Sequence, residues 1–327
     1  MSANVHIMGI VNLTEDSFYA GSRTAAADVL ARARQMWADG ATVVDLGACS
    51  TRPGASQPSL EEEWARLEPA LREIAGNCLP GNSVRSAHSG PSHCLSRPLC
   101  ERTSNGSLPA SWDFRFSPYC PPGDIGPHGA MCGGAHVPGR QLPAISIDTY
   151  RSEIVRRAYE VMGPFMVNDI SAGQLDPQML PTVGRLGLPY VAMHMRGTPE
   201  TMQQFTQYED LMEDIKAYFR NFALKAADAG IADWLPDPGF GFSKTLEQNW
   251  ELLRRLDELQ ELDRPVLVGV SRKSMIYKVL GISPEEAMPA TQVVQYAALE
   301  RGARWLRVHD VPEAARTVRL WEWAEAL

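Results

Sequence analysis

Eight short apolar runs in this chain each end in polar residues able to bind or donate, and the chemistry is concentrated there. The first run ends in Asn12; the second ends in Asp45 and runs on through Cys49, Ser50, Thr51, Arg52 and Pro53. The third ends in Asp148, the fourth in Asn168 and Asp169, the fifth in His194 and the sixth in Asp237. Ser271, Arg272 and Lys273 close the seventh, and Arg307 with His309 closes the eighth. One polar strand end is ordinary capping. Eight together are hard to ascribe to stability, because each buried polar group costs free energy unless it is partnered.

The residues sort into two chemistries. Arg52, Lys273, Arg307 and His309 form a cationic set suited to phosphate or pyrophosphate, with arginine able to grip it through two nitrogens. Asp148, Asn168 and Asp237 can accept and donate along the edge of a flat nitrogen heterocycle. The expected substrate is a heterocycle with a phosphorylated arm. Cys49 beside Arg52 raises the alternative of a thiolate nucleophile, but no histidine in that stretch would activate it.

The elements that must position these groups are legible from periodicity. The apolar runs are residues 6–12, 41–47, 144–148, 165–169, 190–195, 233–237, 265–271 and 303–310. They are apolar on both sides of the pleat, as parallel strands covered by helices are. Amphipathic stretches such as AAADVLARARQMWADG separate them, that one closing on Gly40 as a helix cap. Eight strand–helix units predict a (β/α)8 TIM barrel, and no G-x-G-x-x-G follows the first strand to favour a dinucleotide-binding sheet. In such barrels the active site lies at the strands' C-terminal ends, where the polar residues fall.

One stretch breaks the period. From about residue 76 to 142 the sequence is rich in Gly, Pro and Ser, lacks lysine, and holds Cys78, Cys94, Cys100, Cys120 and Cys132. It reads as a long irregular insertion between helix 2 and strand 3, emerging on the barrel's N-terminal face, away from the polar rim. His88, His93 and His136 join the cysteines as possible zinc ligands, but no C-x2-C pair appears. The remaining length suits a single barrel.

Bulk properties narrow the function classes. The formal net charge of -8 disfavours a general nucleic-acid binder while leaving local anion sites open. No apolar run approaches a membrane span, and the N-terminus lacks a signal-peptide pattern, so a cytoplasmic protein without membrane or nucleic-acid partners is expected.

The blocks MGIVNLTEDSF, DLGACSTRPG, SIDTY, VNDISAG, MHMRGTPETMQ, DPGFGF, GVSRKS and RVHDV, in this order, resemble the dihydropteroate synthase family. That resemblance implies a (β/α)8 barrel joining 6-hydroxymethyl-7,8-dihydropterin pyrophosphate to 4-aminobenzoate, with 7,8-dihydropteroate and pyrophosphate as products. It implies that Asp148, Asn168, Asp237 and Lys273 line the pterin pocket, with Ile170, Met193, Phe242 and Gly269 as walls. Asn12 matches a residue that meets Mg2+ on the pyrophosphate, and Thr51, Arg52, Arg307 and His309 match the anion set. Ser271 and Pro53 match positions near the aminobenzoate, where sulfonamides compete. A homodimer is also implied. The chain departs from the family pattern at Glu15, where proline is usual, and at Cys49, where glutamate is common. Two rival readings are a methyltetrahydrofolate corrinoid methyltransferase, which has no pyrophosphate to hold, and a silent pterin-binding paralogue or scaffold.

Overall fold

The computed structural model describes residues 5–13, 23–49, 57–78 and 145–327. Thr51, Arg52 and Pro53, Glu15, and all of the insertion beyond Cys78 lie outside the described residues.

The strands are β1 (His6–Asn12), β2 (Val43–Gly47), β3 (Ile145–Asp148), β4 (Met166–Asp169), β5 (Tyr190–Met193), β6 (Trp234–Asp237), β7 (Val266–Val268) and β8 (Ala303–Val308). All ladders are parallel, in the order β6-β5-β4-β3-β2-β1-β8-β7. β6 and β7 lie against each other and all but close the ring. The helices around it are α1 (Arg23–Ala38), α2 (Leu60–Cys78), α3 (Ser152–Met162), α4 (Met179–Leu186), α5 (Leu211–Asp228), α6 (Leu246–Arg254), α7 (Ser274–Leu280), α8 (Met288–Leu299) and α9 (Val311–Glu325). The eight-strand barrel read from the sequence is therefore present.

All strands but β1 are shorter than their apolar runs. β5 stops at Met193 and β7 at Val268, because Met195 and Val270 are buried in the loops that follow and keep those runs apolar. α2 runs on to Cys78, slightly past the point where the sequence period fades.

The side-chain period of two along a strand builds the barrel interior in layers. Met8, Val43, Met166, Val191, Leu235, Leu267 and Trp305 form one apolar cluster, each from a different strand, and β3 contributes buried Ser146 at the same level. This plug fills the lower barrel, and truncating one of its large side chains to alanine would cost roughly 2–5 kcal/mol. Outward-facing Val44, Leu46, Ile147, Val167, Ala192, Leu306 and Val308 join the larger core beneath the helices.

Candidate active site

Two residues further along each strand, the same inward face carries Ile10, Asp45, Asp148, Asn168, Met193, Asp237, Gly269 and Arg307. The floor of the upper barrel is thus set by register: wherever the plug residue points inward, so does the residue two along. Three carboxylates, an amide and a guanidinium in one layer are costly for stability and mark a binding floor.

Arg307 is the hub. Its Nε donates to Asp45 Oδ2 at 2.7 Å and its Nη2 to Asp148 Oδ2 at 2.8 Å. Asn168 Nδ2 donates to the same Asp45 oxygen at 3.0 Å. Asp45 is fully buried, and its Oδ1 has no hydrogen-bond partner among the described residues. Burial pushes the Asp148 carboxyl up to about 7 against the pull of Arg307, with Asp45 adding to the rise. One guanidinium between two carboxylates leaves a proton easier to keep than on an isolated acid.

Asp237 and Lys273 hold the other side. Asp237 is buried and accepts the Gly239 N–H on Oδ1 at 2.8 Å. Burial raises its pKa, opposed chiefly by Lys273. Lys273 donates to the Phe240 carbonyl, and its Nζ lies 4.9 Å from the centre of the Phe242 ring. Burial draws Lys273 down to about 8, with Asp237 opposing and Arg307 adding to the fall. A side chain at Gly269 would point between Arg307 and Lys273, 3.8 Å from the Arg307 Cβ, so glycine keeps the floor open there. Ile170 and Met193 pack with Met195 and Met202 in an apolar wall, against which Phe242 rests.

At the rim, Ser271 Oγ accepts the His309 N–H at 3.2 Å and lies 3.0 Å from His309 Nδ1. The expectation that His309 belongs to a cationic set is corrected here. Burial and Arg307 lower its pKa to about 4, so the ring is neutral at pH 7. With the serine proton on Nδ1, the Nε2–H remains free to donate. Arg307, expected to be an anion ligand, spends Nε and Nη2 on carboxylates and keeps Nη1 without a partner among the described residues. Asn12, at the end of β1, is exposed.

Several strand-end residues have other tasks. Asp169 turns outward to take the Ser171 N–H and hydroxyl, the Gly173 N–H and the Tyr190 hydroxyl. Arg272, at φ +53°, forks onto Asp310 with contacts of 2.8 and 2.7 Å. His194 is buried against Lys244. Cys49 sits near Arg151, which pairs with buried Glu63, while Glu63 accepts the Thr149 hydroxyl at 2.7 Å. Burial and Glu63 push the Cys49 thiol well above its ordinary value, so it stays protonated.

Asp45 and Lys244 were not singled out as site residues by sequence reasoning. Asp45 could have been found from period two counted up from Val43. Lys244 carries no such signal, since it follows a loop with no repeat.

A sequence profile of the family "Pterin binding enzyme" matches residues 8–82 and 136–309, leaving 83–135 between its two segments, as an insertion would. The dihydropteroate synthase of Escherichia coli (strain K12) is 33% identical over 320 residues, covering 97% of this chain and 90% of that protein. The crystal structure of Yersinia pestis dihydropteroate synthase with a sulfonamide drug complex superposes with a TM-score of 0.74 at 29% identity, covering 100% of this chain and 96% of the other. Xanthomonas albilineans dihydropteroate synthase with 4-aminobenzoic acid gives a TM-score of 0.72 at 29% identity, covering 99% and 94%.

Proposed function

The chain belongs to the pterin-binding enzyme family, and from that premise we propose that it works as a dihydropteroate synthase, a transferase of folate synthesis. It condenses 6-hydroxymethyl-7,8-dihydropterin pyrophosphate with 4-aminobenzoate, releasing pyrophosphate. The observation that carries this reading is the polar floor above the apolar plug, where Asp45, Asp148, Asn168, Asp237, Lys273 and Arg307 converge.

The chemistry suits that floor. A carbon–oxygen bond breaks at a methylene whose positive charge the electron-rich dihydropterin ring delocalises, and the aminobenzoate nitrogen then forms the new bond and loses a proton. No protein nucleophile is needed. The protein must hold the ring flat and neutralise the departing pyrophosphate. Asp237 and Asp148 accept from the amino and ring N–H groups, while Asn168 and Lys273 supply donors. Ile170, Met193 and Phe242 form the apolar wall, and Gly269 allows close approach.

Arg307, through Nη1, and Arg52 supply positive charge to the leaving group, while His309, through Nε2–H, and Thr51 donate hydrogen bonds to it. Ser271 and Pro53 border the aminobenzoate, where sulfonamides compete with it. Mg2+ bound with the pyrophosphate supplies further countercharge. Asn12 suits such an ion, since its neutral amide oxygen is exposed at the rim and Mg2+ takes few protein ligands when phosphates complete its shell. Among the described residues no group of three His, Cys, Asp or Glu forms a cage of its own.

A homodimer accords with the large apolar residues left exposed on α7, α8 and α9, namely Val279, Leu280, Val293, Leu320 and Trp323. Among the described residues no helix is long and apolar enough to cross a membrane; a cytoplasmic location remains part of the proposal. The direct test is product identity. Folded protein with Mg2+ and both substrates is expected to form 7,8-dihydropteroate, and its absence contradicts the reading.

A further inference from the structure

The loop from β6 to α6 turns on Gly239 and Gly241, at φ +70° and +82°. Three of its carbonyl oxygens face ammonium groups. Gly239 O and Phe242 O each accept from Lys244 Nζ at 3.0 Å, and Phe240 O accepts from Lys273. The third partner of Lys244 is His194 Nδ1, at 3.2 Å. An ammonium has three N–H bonds, and here all three are used.

Lys244 is 3% exposed, so it is not a solvated surface charge. Among the described residues no carboxylate touches it; burial draws its pKa down to about 7, with Asp237 opposing the fall from a distance and Lys273 and Arg196 adding to it. Burying an ammonium without a contact ion pair is costly and is sustained only by full hydrogen bonding. His194, packed edge-on against Tyr218 with ring centres 4.8 Å apart and tilted against Tyr208, is held neutral by burial and by Lys244 itself. A neutral ring can accept at Nδ1.

The same loop is fastened to the end of β5 at three further points. His194 N–H donates to Asp237 O at 2.8 Å. A Cβ on Gly239 would come within 2.1 Å of His194 O, so only glycine allows that approach. Ser243 Oγ accepts the Arg196 N–H at 2.8 Å and donates to Arg196 O at 2.9 Å. Beyond Lys244, a capping box between Thr245 and Gln248 starts α6 and fixes the loop's exit.

We propose that Lys244 and His194 form a positioning pair for the dihydropterin pocket. Their contact holds the Gly239 and Phe242 carbonyls in place, and through them the Phe240 carbonyl that aims Lys273, the Phe242 wall and the Gly239 N–H that orients Asp237. Neither residue touches substrate. The inference rests on reading the floor as a dihydropterin site, and its test separates the two.

The experiment uses the full chain and three measurements. Lys244→Met is expected to raise the KM for dihydropterin pyrophosphate on the order of tenfold or more, the scale of a lost charged hydrogen bond, with the 4-aminobenzoate KM within about twofold. Equal changes in both KM values, or none, overturn the proposal. In Lys244→Ala, ethylamine should restore the pterin KM and ethanol should not; rescue by both assigns Lys244 to packing alone. At pH 7, ¹⁵N spectra of wild-type His194 should show an Nε2–H ring with a hydrogen-bonded Nδ1, and that Nδ1 signature should be lost in Lys244→Met or, if that variant does not fold, in Lys244→Leu. An unchanged Nδ1 signal overturns the pair. Failure of the wild type to turn over, with the spectra as expected, counts against the proposed function and leaves the contact established.

Discussion

Arg307 on β8 and Asp45 on β2 meet across β1, with Arg307 Nε 2.7 Å from Asp45 Oδ2. The pair is the keystone of the floor, because Asn168 and Asp148 are both tied to it. Removing Asp45 leaves Arg307 paired with Asp148 alone and takes the acceptor from Asn168 Nδ2, a loss of roughly 1–3 kcal/mol, below that of a fully broken buried pair. Asp45→Ala should therefore lower unfolding free energy by about that amount, and Asp45→Asn, which keeps an acceptor, by less. Denaturant unfolding of both variants checks this; equal and small losses contradict it.

Asp237→Asn should keep the bond from Gly239 on one side and present an NH2 group to the substrate on the other. A donor facing donors should weaken binding of a pterin on the order of 10²-fold. Titration calorimetry with 6-hydroxymethylpterin measures it, and an unchanged affinity removes Asp237 from the proposed site.

Asp148 gives the site a pH dependence with a definite sign. Its carboxyl lies at about 7 in the folded protein instead of the ordinary 3.8. A raised carboxylate binds more protons folded than unfolded, so its contribution to stability is present at low pH and is lost as pH rises through that window. Substrate binding runs the other way, since the ionised form accepts from ring N–H groups. Affinity for the pterin should rise about tenfold from pH 6 to pH 8, and Asp148→Asn should bind weakly with no such slope. A flat wild-type profile contradicts the assignment.

Gly239→Ala should be far more damaging than an ordinary loop substitution, because the added carbon would lie 2.1 Å from the His194 carbonyl at a positive φ. The β6–α6 loop would have to move, taking the Phe240 carbonyl and Lys273 with it. Pterin affinity should fall by at least tenfold. Wild-type affinity in a folded G239A protein would show the loop to be more tolerant than its packing implies.

Replacing residues 83–135, which the family profile does not match, with a short linker should preserve turnover. Both flanks, the end of α2 and the start of β3, lie on the face opposite the polar floor. Loss of activity in a folded deletion variant would place that segment's role in catalysis.

The barrel was legible because parallel strands buried on both faces give apolar runs that helical stretches interrupt. The floor was legible in part. Asp148, Asn168, Asp237 and Arg307 stand out as polar endings to apolar runs, whereas nothing beside Asp45 in the sequence shows its task, since its partner Arg307 lies at the other end of the chain. Charge state was not legible at all: His309 counts as cationic by residue type, yet burial beside Arg307 leaves it neutral. His194 and Arg272 sat in the expected places, but packing turned one to Lys244 and the other to Asp310. Lys244 shows the limit most clearly, because nothing in its sequence neighbourhood announces three buried acceptors.

The central claim is best tested by pyrophosphate release from the purified chain with Mg2+, measured with each substrate alone and with both. The account predicts release at a catalytic rate only when dihydropterin pyrophosphate and 4-aminobenzoate are both present, and a fall on the order of 10²–10³ in Arg52→Ala, the loss of one leaving-group donor. Release that is indifferent to 4-aminobenzoate, or equal in the two proteins, would contradict it.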